Sequence, residues 1–230
     1  MTSAPSVDAL PQPAKSRRWG WRAVVMTVVI VVIALCAITM SVLLGWNIGI
    51  EATVIGLAAA ILPVPVLVAC FLWLDRYEPE PAGFLAIAFG WGAAVATLVA
   101  YGVNSGAAAL FDGWGLPESL VAVLVAPFIE ESMKALGPAL LLLLIRREFS
   151  GITDGIVYCG LSAVGFAMVE NILYLGGHGY AAGAEQYGPA TGAEMLIAIF
   201  IVRILLTGFA HPLFTSMTGI GLGISARAVD

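Results

Sequence analysis

The sequence predicts an all-α fold: a polytopic transmembrane helix bundle of about six spans, with a polar cavity between the fourth, fifth and sixth. Three observations predict it. Of 230 residues, 60% are hydrophobic and only 11% charged, and mean hydropathy is +0.99. Soluble domains carry about 25% charged and about 45–50% apolar residues. The apolar residues fall into long runs, and ~20 helical residues suffice to cross the hydrocarbon core. The connecting stretches alternate between those that carry Lys or Arg and those that carry none, the pattern of a chain threading a membrane.

Residues 1–20 read as a disordered cytoplasmic tail, rich in Ser, Pro and Ala and bearing Lys15, Arg17 and Arg18. Residues 21–230 read as a single transmembrane domain. The first span, about 22–44, is too long for a signal-peptide core of ~7–15 residues, and no cleavage site follows it. The second, about 52–74, contains Pro63 and Pro65, which predict a kink or a broken helix. A polar loop, Asp75-Arg76-Tyr77-Glu78-Pro79-Glu80-Pro81, follows. The third span, about 84–110, is rich in Gly and Ala, so its neighbours approach closely on several sides. The fourth, about 119–145, ends at Arg146-Arg147-Glu148, and the fifth is about 153–175. The Gly/Ala-rich stretch 176–192, with His178 and Glu185, reads as a loop before the sixth span, about 194–224.

The basic residues of the tail, Arg76, Arg146, Arg147 and Arg227 fall on one side, which places both termini in the cytoplasm of a cell whose plasma membrane the chain crosses. Trp46 and Trp114 lie near span ends, as in an interfacial belt. The formal net charge is −5 and no basic patch is present, which argues against nucleic acid. No internal repeat supports an inverted-repeat transporter. Cys36, Cys70 and Cys159 are far apart, inside apolar runs, and read as small core residues rather than disulfide partners or metal ligands.

Against this background Ala126-Pro127-Phe128-Ile129-Glu130-Glu131-Ser132-Met133-Lys134 stands out. Each ionised side chain at membrane depth costs about 2.5–3.5 kcal/mol on insertion scales, so such groups mark sites or pairs. Lys134 is four residues from Glu130 and three from Glu131, within helical reach of both. One pair would neutralise itself; the second carboxylate is left over. Glu170-Asn171 lies in the fifth span, and Arg203 and His211 in the sixth. Arg203, Thr207 and His211 recur every four residues and share a helix face. Such a set can hydrolyse: a carboxylate serves as general base on water, and His with carboxylates holds a divalent metal such as zinc. The same groups can also serve as relays or counter-ions. A non-enzymatic membrane protein, either an ion-coupled transporter or a scaffold, is therefore the alternative reading. Arg203 on its own reads as a structural counter-ion for a Glu, and Glu170-Asn171 as interhelical glue or site.

The ordered set of motifs resembles the PrsW-type intramembrane proteases, distant relatives of the CAAX prenyl proteases. Glu130-Glu131-Ser132-Met133-Lys134 is similar to their EExxK motif, and Phe166 to Asn171 to FxxxEN. His211-Pro212-Leu213-Phe214 is similar to a third motif that opens on His, and the loop 75–81 to an acidic, Pro-rich loop before the third span. The resemblance runs from about Phe71 to the end of the sequence. It implies a membrane-embedded, metal-dependent endopeptidase with Glu130, Glu131, Glu170 and His211 as catalytic residues, supported by Lys134, Asn171 and Arg203. Its implied metal ligands are Glu131, Glu170 and His211, and zinc is the expected ion. The implied substrate is a membrane protein or peptide, such as an anti-sigma-factor-like protein, cut within the lipid bilayer. The resemblance also implies a further span bearing His and Asn, which the sequence to Asp230 does not carry; His178, read as a loop residue, is a poor substitute. An inactive or divergent CAAX-type relative is the intermediate reading.

Overall fold

The computed structural model describes residues 17–144, 149 and 151–227. Residues 1–16 of the tail, Arg146, Arg147 and Glu148 of the basic loop, and Asp230 lie outside the described residues. The described residues form six long helices joined by short turns and include no strand. They are α1 (Arg17–Ile48), α2 (Ile50–Tyr77), α3 (Ala82–Gly113), α4 (121–144), α5 (Ile152–Tyr187) and α6 (Pro189–Arg227). All except α4 contain a stretch long and apolar enough to cross a membrane. α4 is the helix that carries Glu130, Glu131 and Lys134.

α5 forms the axis of the bundle. From Asp154 to Ile172 nearly every side chain is buried, and α2, α3, α4 and α6 all pack on it. A helix enclosed on every side needs no polar face, and its sequence shows none. Small residues set the spacing. A Cβ on Gly155 would run into the Gly219 carbonyl of α6, one on Gly160 into the Phe71 ring of α2, and one on Gly165 into the Phe89 carbonyl of α3.

The connections are shorter than the sequence predicts. The expected turn at 45–51 is one residue, Gly49, with φ 85°, and the expected loop at 176–192 is also one residue, Gly188, with φ 91°. Positive φ is open to glycine at little cost, so each chain reversal needs only that residue. The rest of the Gly/Ala-rich stretch is helical: a π-helical segment Leu173–Ala181, then α-helix Ala182–Tyr187. Its glycines serve close packing. Gly176 lies against the Ala52 carbonyl and Gly183 against Gly192. His178 is therefore a helix residue, its ring 5.3 Å from that of Tyr174.

Pro63 breaks α2 as expected: the helix stops at Ile61 and restarts at Val64. α3 matches its expectation over half its length. Gly92, Ala94, Val95 and Ala96 are buried, whereas much of 102–113 is exposed. Trp46 and Trp114 are exposed near helix ends. The cysteines depart from expectation: Cys159 is buried, but Cys36 is half-buried and Cys70 exposed, because α1 and α2 turn one face out of the bundle.

Candidate active site

The site begins with a defect in α4. Pro138 has no N–H, so the carbonyl of Lys134, four residues earlier, loses its helical partner. Ser162 of α5 supplies one, donating from Oγ at 2.8 Å. One residue earlier, the Met133 carbonyl accepts from the Trp91 indole N–H of α3 at 2.9 Å. The indole lies where a Cβ at position 137 would be, which is why Gly137 is there. These two bonds fix the turn that presents Glu130, Glu131 and Lys134.

Lys134 is fully buried. Its ammonium has three protons and meets three acceptors: Glu131 Oε1 at 2.8 Å, His211 Nδ1 at 2.8 Å and Glu130 Oε2 at 3.5 Å. The Phe166 ring, centroid 4.1 Å away, covers the remaining side. Glu131 Oε2 lies 2.7 Å from Thr215 Oγ1, whose single proton is also within 3.0 Å of the His211 carbonyl.

The second half of the network joins α5 to α6. Arg203 donates from a terminal guanidinium nitrogen to Glu170 Oε2 at 2.7 Å and from Nε to Asn171 Oδ1 at 3.0 Å. Its guanidinium stacks over the Tyr174 ring, 3.6 Å from the centroid. His211 Nε2 stands 3.1 Å from the same Glu170 oxygen. Local irregularity in α6 makes this possible. A π-helical segment, Ile201–Leu206, carries Arg203; a turn follows at 207–209, and helix resumes at Ala210. Pro212 is tolerated because it falls in the first turn of the restarted segment, where amide protons have no helical acceptor. Widened π turns are frequent at functional sites, and α3, α4 and α5 each carry one beside this cluster.

All seven residues expected from the sequence, Glu130, Glu131, Lys134, Glu170, Asn171, Arg203 and His211, thus fall in one network. Donor atoms of Glu130, Glu170 and His211 lie within 4.8 Å of one another. The expected metal set named Glu131 in place of Glu130; Glu131 Oε1 lies 3.9 Å from His211 Nδ1, and its two oxygens are also within hydrogen-bond reach of Lys134 and Thr215. The resemblance includes Phe166 at the start of its second motif and Thr215 just after His211-Pro212-Leu213-Phe214 in its third, without giving either a task, and Ser162, Trp91 and Tyr174 had no role in the sequence reading. Thr215 lies four residues after His211, and Phe166 and Tyr174 four either side of Glu170; helical spacing could have found these three. Ser162 and Trp91 had no signal of that kind.

A cavity of about 450 Å³ opens onto the cluster between α3, α4 and α5, reaching Glu130 and Glu170. An apolar one of about 370 Å³ lies on the other side, where α2 and α6 are broken, and touches Asn171.

Residues 80–230 match the PrsW family of intramembrane metalloproteases. The chain belongs to the PrsW family. Protease PrsW of Geobacillus kaustophilus (strain HTA426) is 31% identical over 182 residues, 75% of this chain and 68% of that protein. Protease PrsW of Bacillus subtilis (strain 168) is 30% identical over 179 residues, 76% of this chain and 70% of that protein. No solved structure matches the chain. This PrsW-family chain is thus an intramembrane protease, a hydrolase, and a multi-pass membrane protein. Its acidic, basic and His groups converge on one site, rather than standing in the separate sites that would favour the transporter or scaffold alternative.

Proposed function

We propose that this enzyme hydrolyses a peptide bond of a membrane-protein substrate in the cavity between α3, α4 and α5. A divalent metal, zinc by its taste for His nitrogen and carboxylate oxygen, would be held by Glu130, Glu170 and His211. The observation that carries the reading is the convergence of their donor atoms within 4.8 Å. The charges fit as well: three carboxylates, Glu130, Glu131 and Glu170, meet two permanent cations, Lys134 and Arg203, together with His211, so with the imidazole neutral the network has room for a cation. When bound, such an ion supplies Lewis-acid polarisation and lowers the pKa of its water towards ~7.

The chain's own residues have distinct tasks in this reading. Glu131, whose side chain is 32% exposed against 15% for Glu130, takes the proton of the attacking water. Lys134 and Thr215 hold its carboxylate in place and keep it from rotating towards the metal ligands. Arg203 and Asn171 orient Glu170, as outer groups commonly orient ligands. The substrate is a membrane-anchored regulator of the anti-sigma-factor kind. Both termini lie on the cytoplasmic side of the plasma membrane, because the segments with Lys and Arg alternate with segments that have none.

The test is metal content and reporter cleavage for the purified protein in detergent. Near one equivalent of zinc is expected in wild type, lost in Glu130→Ala, Glu170→Ala and His211→Ala. Glu131→Gln should keep the metal and lose cleavage. Wild type without metal overturns the ligand assignment, and full cleavage by Glu130→Ala, Glu131→Ala and His211→Ala overturns the site itself.

A further inference from the structure

The cavity above the cluster is acidic at both ends. Glu130 and Glu170 stand at the inner end, Glu118 and Ser119 at the outer end, and no Lys, Arg or His lines it. The inner carboxylates have cations of their own, Lys134 and Arg203. Glu118 differs. It is exposed in the turn before α4, and only its main-chain carbonyl is engaged among the described residues, by the Val121 N–H at 2.9 Å. The connecting stretch 113–120 contains no Lys or Arg either. Glu118 is thus an unneutralised carboxylate at the mouth of the route to the site.

The dimensions indicate what passes. Glu118 and Glu130 are twelve positions apart along α4 and the turn before it, ~18 Å at ~1.5 Å per residue. An extended chain lying along the cavity covers that length in about five residues at ~3.3–3.6 Å each. Asn104 and Ser105 on one wall offer hydrogen bonds to an extended backbone. Ala108 and Ala122 leave room for its side chains.

We propose that Glu118 is a specificity-determining residue: it receives a basic side chain, Lys or Arg, of the substrate about five residues from the scissile bond. This rests on the protease reading of the inner cluster. A carboxylate at a cavity mouth attracts the opposite charge, repels its own, and so also excludes acidic segments.

The probe is a set of single-span reporter proteins with a Ser/Ala-rich segment beside the span. One Lys or one Glu is walked through ten positions on each side of the cleavage site. The enzyme is the full chain in liposomes: wild type, Glu118→Gln and Glu118→Lys. In wild type, Lys should raise kcat/KM about 3- to 5-fold over Ala, with a peak about five residues from the cut on one side. The gain should shrink in high salt. Glu118→Gln should cleave the all-Ala reporter as wild type does but lose the Lys preference, and Glu118→Lys should prefer Glu at the same position. Cleavage by wild type with no charge preference, or a preference unmoved by Glu118→Lys, overturns the inference and leaves the protease site standing. No cleavage of any reporter by wild type removes the protease reading and the inference together.

Discussion

The hydroxyl of Ser162 donates to the carbonyl of Lys134 at 2.8 Å, and Lys134 is the residue whose carbonyl Pro138 cannot serve. A proline in the middle of a membrane helix is tolerated only where neighbours satisfy the freed group. Here the neighbour is a fully buried side chain on the central helix. The repair therefore also ties the carboxylate-bearing turn of α4 to α5.

This pairing makes a double-mutant prediction. Ser162→Ala leaves a buried carbonyl unpaired, a loss of about 1–3 kcal/mol, or a few degrees in thermal midpoint at ~2–4 °C per kcal/mol for a chain of this size. Pro138→Ala restores the helical N–H, so Ser162→Ala should cost markedly less in that background. Thermal unfolding of the four proteins in detergent measures the coupling. Equal costs in both backgrounds would mean that the Ser162 bond does not compensate for the proline.

A second prediction concerns Lys134. Removing one partner of a buried ion pair strands the other, typically at about 3–5 kcal/mol. Glu130 and Glu131 are partly exposed, so Lys134→Met should fall at or below the lower end, about 2–3 kcal/mol, with cleavage lost. Lys134→Arg should not restore activity: a planar fork cannot replace a point ammonium surrounded by three acceptors. Lys134→Met/Glu131→Gln should recover much of the stability and remain inactive. A double variant as unstable as Lys134→Met alone would show that the lysine acts by packing against Phe166 rather than by charge.

The site was more legible in the sequence than its wiring. Glu130, Glu131, Lys134, Glu170, Arg203 and His211 announce themselves because each is costly in an apolar span, and the structure brings them together. Which neighbour of the pair, Glu130 or Glu131, lies within ligand reach of both Glu170 and His211 was not legible. Adjacent helical residues point about 100° apart, so the answer depends on the rotation of α4 about its axis, which Trp91 and Ser162 set from two other helices. The stretch 176–192 misled for a related reason. Gly and Ala suit both a loop and a tightly packed helix, and only the surfaces that Gly176 and Gly183 touch decide between them. The break at Pro63 was legible because proline acts locally, without reference to neighbours.

The third prediction tests how α6 is seated. Gly155 and Gly219 face each other so closely that a Cβ on either would strike the other's backbone, whereas nothing lies within 4 Å of a Cβ on Gly221. Thr215 and His211 stand four and eight residues before Gly219, one and about two turns along the same helix. Gly221→Ala should therefore stabilise slightly, by about 0.5–1 kcal/mol, because alanine loses less freedom in a helix. Gly219→Ala should cost about 1–3 kcal/mol through overpacking against backbone that cannot move aside. It should also push His211 and Thr215 away from Glu170 and Glu131. A displacement near 1 Å at a reacting group can cost about 100-fold in rate, so reporter cleavage should fall by that order even where the protein remains folded. Thermal midpoints and cleavage rates of the two alanine variants, read side by side, make the check. If Gly219→Ala matches Gly221→Ala in both, the close crossing of α5 and α6 is not what holds the histidine against its glutamates.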